Sequence, residues 1–261
     1  MLWLEKRLVP KSHLLDGKWA EHDPTSRITL DHSSFDLLLQ KHTALDGGGI
    51  RKVSYGAFTQ ADGQLLADYI AGLEGTDPSN LVRSEQYAFW INLYNAAVLR
   101  LILDQRLTRS MFDAQRHPLD IKRPFHIPMV SVCGIPLSLH GIESGILRPV
   151  WRSPLLHYGL NCGAVSCPNI GPEAYRSKSL NDDLERAARA FVNDPRGVAT
   201  KDRKLILSKI YFWYMDDFGG SEAALLDHIR AYAAPDLHQR LEGVQRVDGY
   251  AYDWSLNGSW G

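Results

Sequence analysis

Ser84–Gln105 reads SEQYAFWINLYNAAVLRLILDQ and contains neither glycine nor proline. Such a run predicts a long helix, with Ser84 as its N-cap and Glu85 placing acid in the first turn. Phe89, Trp90, Ile91, Leu93, Tyr94, Val98, Leu99, Leu101 and Ile102 leave no polar face. A helix apolar all round is a buried one, so the rest of the chain must wrap it. One side is the exception. Positions 85, 88, 92, 95, 96 and 99 fall together at 3.6 residues per turn. They set Glu85, Asn92 and Asn95 among large apolar neighbours. Buried polar groups need partners. The stripe is therefore either a network tying the helix to nearby loops, or the wall of a cleft that orients substrate and catalytic groups.

The flanking segments give that helix its cover. Phe35–Leu45 has helical spacing, with Asp31 or Ser33 as cap, and Gly47-Gly48-Gly49 ends it. A second helix is expected over 59–74, capped by Thr59 and closed at Gly75. A hairpin is predicted over 125–137 about Cys133-Gly134, then a short helix at 139–148. The segment from His157 reads as a strand that breaks at Asn161. Helices near 179–193, 208–220, 221–233 and 235–242 follow. A hairpin at 198–207 and a strand near 248–254 complete the chain. No linker demands two domains. The expectation is an N-terminal arm, 1–29, and one α+β domain, 30–261, in which a long buried central helix and further helices pack on a small, mainly antiparallel sheet.

Composition bounds the function classes. The chain has 261 residues, 44% hydrophobic and 23% charged, so its core needs no disulfide or metal staple. A net charge of -1 lacks the basic footprint of a nucleic-acid binder. Charges interrupt the first residues, and no apolar run reaches membrane-spanning length. No membrane contact is expected, and a cytoplasmic location is.

HYGLNCGAVSCP, His157–Pro168, holds two of the three cysteines. Cys162 lies between Asn161 and Gly163-Ala164, where small residues give access to a thiol and leave amides open for an oxyanion. A nucleophilic cysteine needs a lowered pKa, commonly from a histidine. His157 is the first candidate base and His140 the alternative. On a straight strand, positions 157 and 162 face opposite ways, so the pair requires a bend at Asn161. Inert packing is the competing reading for Cys162, and more so for Cys167. C-x4-C lies outside the common zinc spacing and lacks a second ligand pair, so no metal is expected. A Cys162–Cys167 disulfide fits poorly with a reducing cytoplasm. YFWYMDDF, Tyr211–Phe218, is either core or an aromatic pocket wall built from Trp213 and Tyr214, with Asp216 or Asp217 as a polar handle.

Five segments together resemble the family known as domain of unknown function 547. They are LDHSSFDLLLQKHT (30–43), EQYAFWINLYNAAVLRLIL (85–103), IPLSLHGIESGILRP (135–149), HYGLNCGAVSCPNIGPEAY (157–175) and LSKIYFWYMDDFG (207–219). The resemblance spans about residues 30–220. It implies that His157, Cys162, Glu85 and Asn92 are positions the family pattern keeps. His140 and Ser144 depart from it, which favours His157 over His140 as base. Plant members resemble scaffolds with an added coiled coil, but no heptad run is present here. At the level of fold the expectation is also similar to the papain or transglutaminase class, although there the cysteine opens a helix and helix 84–105 carries none.

Three functions remain open. One is a thiol-dependent hydrolase or acyl transferase acting on an amide or thioester. Cys162 is its nucleophile, His157 its base, and Asn92 or Glu85 orients the imidazole. Another is a non-catalytic module binding a small thiol or peptide through Asn161, Gly163, Asn95, Trp213 and Tyr214. The third is a protein-interaction scaffold. None calls for a cofactor.

Overall fold

The computed structural model describes residues 11–113, 124–201 and 204–261. Helix α1 (Ser33–His42) leads into β1 (Thr43–Leu45) and β2 (Arg51–Ser54); α2 (Gln60–Glu74) and α3 (Arg83–Gln105) follow. The next elements are β3 (Pro128–Val132), β4 (Ile135–Ser138) and α4 (Leu139–Ile142). A π-helical turn, Glu143–Leu147, joins α4 to α5 (Arg148–Trp151), and α6 (Leu156–Gly159) and α7 (Leu180–Val192) come next. Strands β5 (Val198–Lys201) and β6 (Lys204–Ser208) precede α8 (Lys209–Trp213), α9 (Glu222–Tyr232) and α10 (Pro235–Arg240). The chain ends in β7 (Gly249–Ala251) and β8 (Gly258–Ser259).

The long helix is where the sequence puts it, and it is buried from Glu85 to Leu99. Each large apolar side chain taken from water there contributes about 1.5–3 kcal/mol, so α3 organises the domain. Around it packs a core that includes Phe35, Leu38, Ile70, Val132, Ile142 and Leu147. A second core of Phe191, Leu207, Tyr211, Phe218, Leu225 and Ile229 lies between α7, β6 and α9. Ser84 is not the cap of α3. Val82 occupies that position, and the Ser84 hydroxyl meets Ser177 at 2.7 Å. Thr59 caps α2 as expected, in a reciprocal capping box with Asp62.

The fold is α+β, but among the described residues its strands form three small sheets rather than one. β1–β2 and β3–β4 are antiparallel, and so is β5–β6. Two C-terminal strands join in parallel, β8 beside β2 and β7 beside β6. β1 and β8 have three and two residues, too short for a pattern of period two to register.

The first ten residues of the expected arm lie outside the described residues. Beyond them, the backbone amides of His13 and Leu15 donate to the carbonyls of Ser144 and Gly145 in the π-helical turn. A Cβ on Gly145 would fall 2.3 Å from Leu15 Cγ, so this close approach requires glycine. Further on, Trp19 is buried edge-to-face against Trp90 of α3.

Candidate functional site around Cys162 and His157

His157 lies in a helical turn, not on a strand. All four residues of α6 are buried, so apolar alternation carries no face information. The local signal is Ser153-Pro154: the Ser153 hydroxyl accepts from the Leu155 amide, and the amides of Leu156 and His157 donate back to Ser153 and Pro154. The opposite-face objection to pairing His157 with Cys162 therefore lapses.

After this turn the chain is shaped by asparagines. Asn95 Nδ2 donates to the Gly159 carbonyl, and its Oδ1 accepts from the Asn161 amide, both at 2.9 Å. Asn161 in turn accepts from the Gly163 amide at 2.9 Å and donates to the Pro168 carbonyl at 2.7 Å. Asn257 reaches Asn161 at 3.4 Å and accepts from the Tyr55 hydroxyl at 2.6 Å. The C-terminal segment closes over the loop, with the Val165 amide donating to Ser255 and the Asn257 amide to Gly163. Gly163 has φ +80°, and a Cβ there would meet Ile102 Cδ1 at 2.6 Å. Gly163→Ala is expected to cost about 2–4 kcal/mol, combining left-handed strain with crowding. Urea unfolding checks this, through a lower midpoint at unchanged slope.

Within that loop the two cysteines face each other. Their Sγ atoms are 2.7 Å apart, and the Cys162 amide donates to Cys167 Sγ at 2.9 Å. The Tyr252 hydroxyl lies 3.2 Å from Cys162 Sγ. The Cys162 thiol is held below its ordinary range: the Cys167 S–H favours the thiolate, burial opposes it, and Tyr252 and the Ala164 amide add to the first effect. Burial and the adjacent Cys162 push Cys167 well upward. Cys133 is exposed, remote in the β3–β4 turn, and raised by partial desolvation and Asp77.

His157 belongs to a second cluster that spans the two cores. Its Nε2 lies 2.7 Å from Asp217 Oδ2. Arg148 grips the same carboxylate, Nε to Oδ2 at 2.5 Å and Nη2 to Oδ1 at 3.1 Å. Burial alone would raise Asp217, but the hydrogen bonds from His157 and Arg148 outweigh it and hold the group at about 2. An ionised Asp217 accepts, so Nε2 carries the proton, while Nδ1 lies 4.0 Å from Glu143 Oε1. Tyr214 stacks on the imidazole with centroids 4.1 Å apart.

The predicted residues thus divide. Cys162, Asn161, Gly163 and Asn95 form one continuous network. His157 is in the other cluster, and its hydrogen bonds and ion pairs do not include either sulfur. Glu85 accepts from the Leu30 amide at 2.8 Å. Asn92 clasps the Tyr175 backbone from both sides, at 2.8 and 2.9 Å, and meets His32 at 3.4 Å. Neither orients His157; Asp217 holds that position. The aromatic pair splits as well. The chain leaves helical geometry at Tyr214. Trp213 goes to the cysteine side, 4.9 Å from the Tyr252 ring, and Tyr214 to the histidine side. His140 pairs its ring with His126 at 4.2 Å and is pushed down to about 4, mainly by burial.

Sequence reasoning passed over Tyr252, Arg148, Glu143 and Asn257. Tyr252 also walls an open cleft of about 260 Å³ that includes Ser166, Arg196 and Asp253. Among the described residues, no group of three or more His, Cys, Asp or Glu is arranged to hold a metal ion. No described helix is long and apolar enough to cross a membrane.

No curated protein and no solved structure matches the chain. Residues 78–192, which hold α3, Glu143, His157 and both loop cysteines but neither Asp217 nor Tyr252, match the family model described as protein of unknown function, DUF547.

Proposed function

We propose that the protein is a thiol-dependent hydrolase or acyl transferase with Cys162 as nucleophile. The observation that carries this reading is the set of donors around one sulfur: the Cys167 S–H, the Tyr252 O–H and the Ala164 N–H all favour a Cys162 thiolate. In the reaction, that thiolate adds to the carbonyl carbon of an amide or thioester. The leaving amine or thiol takes a proton, and the acyl group stays on sulfur until water or another acceptor removes it. Cys167 and Tyr252 touch the nucleophile and are the nearest proton sources. His157 is a positioning residue in this scheme, joined through Tyr214 and Asp217 to the aromatic segment that borders Tyr252. The Gly163 amide is engaged by Asn161, which favours an oxyanion donor elsewhere in the loop.

A small activated thioester is the direct probe. Peptide mass spectrometry is expected to find the acyl group on Cys162 and to lose that adduct in Cys162→Ser. Acylation confined to Cys133 or to lysines, and equal in both proteins, would contradict the proposal. Tyr252→Phe removes one donor to the thiolate. It is expected to move the pH midpoint of Cys162 alkylation upward by about one pH unit.

The second reading, a non-catalytic site for a small ligand, draws on the cleft beside Tyr252. It predicts saturable ligand binding that survives Cys162→Ser.

A further inference from the structure

We infer that Cys162 and Cys167 form a reversible intramolecular disulfide, an oxidation site that takes small-molecule disulfides as its oxidant. The pairing stands on geometry and does not depend on acyl transfer. The two sulfurs are 2.7 Å apart, so a movement of about 0.7 Å reaches bonding distance. The backbone already brings Cys167 Sγ to the Cys162 amide at 2.9 Å, which fixes the second side chain over the first residue. Asn161 spans the loop from the Gly163 amide to the Pro168 carbonyl, holding both ends of the four-residue connection. Cys162 is partly accessible whereas Cys167 is buried. The two therefore have distinct parts: an outer sulfur that meets the oxidant and an inner one that resolves it.

The chemistry balances. The Cys162 thiolate attacks one sulfur of a disulfide R–S–S–R, breaking that bond and expelling RS⁻, which takes a proton from solvent. Cys167 then loses its proton to solvent and attacks the Cys162 sulfur of the mixed disulfide, expelling the second RS⁻ to be protonated in turn. Two protein thiols are oxidised, and one external disulfide is reduced to two thiols. While the bond stands, Cys162 has no thiolate. Any thiol chemistry at the site is then off until an external dithiol reverses the exchange.

The test treats the full chain with hydroxyethyl disulfide, removes the reagent, denatures, and alkylates with iodoacetamide. The peptide holding Cys162 and Cys167 is expected to carry neither alkylation nor adduct and to be lighter than its reduced form by the mass of two hydrogens, whereas exposed Cys133, with no resolving thiol, carries either the hydroxyethyl adduct or the alkyl group. A dithiol wash should restore both alkylation sites. Cys167→Ser is expected to stop at the mixed disulfide on Cys162. A wild-type peptide that keeps the hydroxyethyl adduct, or stays fully alkylatable at both positions, would overturn the inference. The wild-type result alone decides this if Cys167→Ser does not fold. Because the readout is mass rather than turnover, failure of the acyl-transfer proposal leaves it intact.

Discussion

Replacing Asp217 by asparagine is expected to lower the unfolding free energy by about 3 kcal/mol at pH 7. The carboxylate sits between the guanidinium of Arg148, whose side chain is 3% exposed, and the imidazole of His157. Asparagine keeps the shape and removes the charge, which leaves a buried cation without its main counter-ion. Loss of one member of a buried pair costs about 3–5 kcal/mol, and the lower figure applies because the field of Glu143 also reaches Arg148. The acid dependence separates charge from packing. Asp217 titrates at about 2 in the folded chain, below its ordinary range near 3.9. A depressed carboxylate stabilises the fold fully above the unfolded value, and that stability is lost as pH falls through the folded one. Urea unfolding should therefore show the difference between wild type and Asp217→Asn in full above about pH 5 and shrinking steadily between about pH 4 and pH 2. A difference that stays constant through that window would locate the effect in packing instead.

Asn95→Ala should be damaging on a similar scale. It leaves the Gly159 carbonyl and the Asn161 amide buried without their partner. Each such group costs about 1–3 kcal/mol, so a loss of roughly 2–4 kcal/mol is expected. The effect has an address, because both groups border the loop that presents Cys162. Amide hydrogen exchange should rise at 159–164 before it rises elsewhere. Asn92→Ala is the control. It should destabilise comparably, through the Tyr175 backbone, while exchange at 159–164 and the reactivity of Cys162 stay as in wild type. Equal exchange patterns in the two variants would mean that Asn95 does not specifically support the loop.

The central helix was legible because its signal is long and redundant: many large apolar residues, no breaker, and three polar groups on one side. That Glu85, Asn92 and Asn95 are buried followed from the same pattern; what each one binds did not. Their partners, at Leu30, Tyr175 and Gly159, are backbone groups, which residue identity does not encode. Position 157 reads as strand because a fully buried one-turn helix and a buried strand have the same composition, and the local sign of the helix is Ser153-Pro154. The sequence offers Asp216 or Asp217 as a polar handle, but Arg148 lies 69 residues away from Asp217 in the chain. Tyr252 is 90 residues from Cys162 and belongs to no local motif. A site assembled from α3, the cysteine loop and the C-terminal segment is visible only in parts until the chain is folded.

On the proposed mechanism Cys162 ionises ahead of both other cysteines. This order is tested most directly by the rate of iodoacetamide labelling at each cysteine between pH 5 and pH 9, read peptide by peptide. The Cys162 midpoint should fall below the ordinary thiol value of about 8.5 and below that of Cys133, with Cys167 labelled last or only on unfolding. A Cys162 midpoint at or above that of Cys133 would contradict that order.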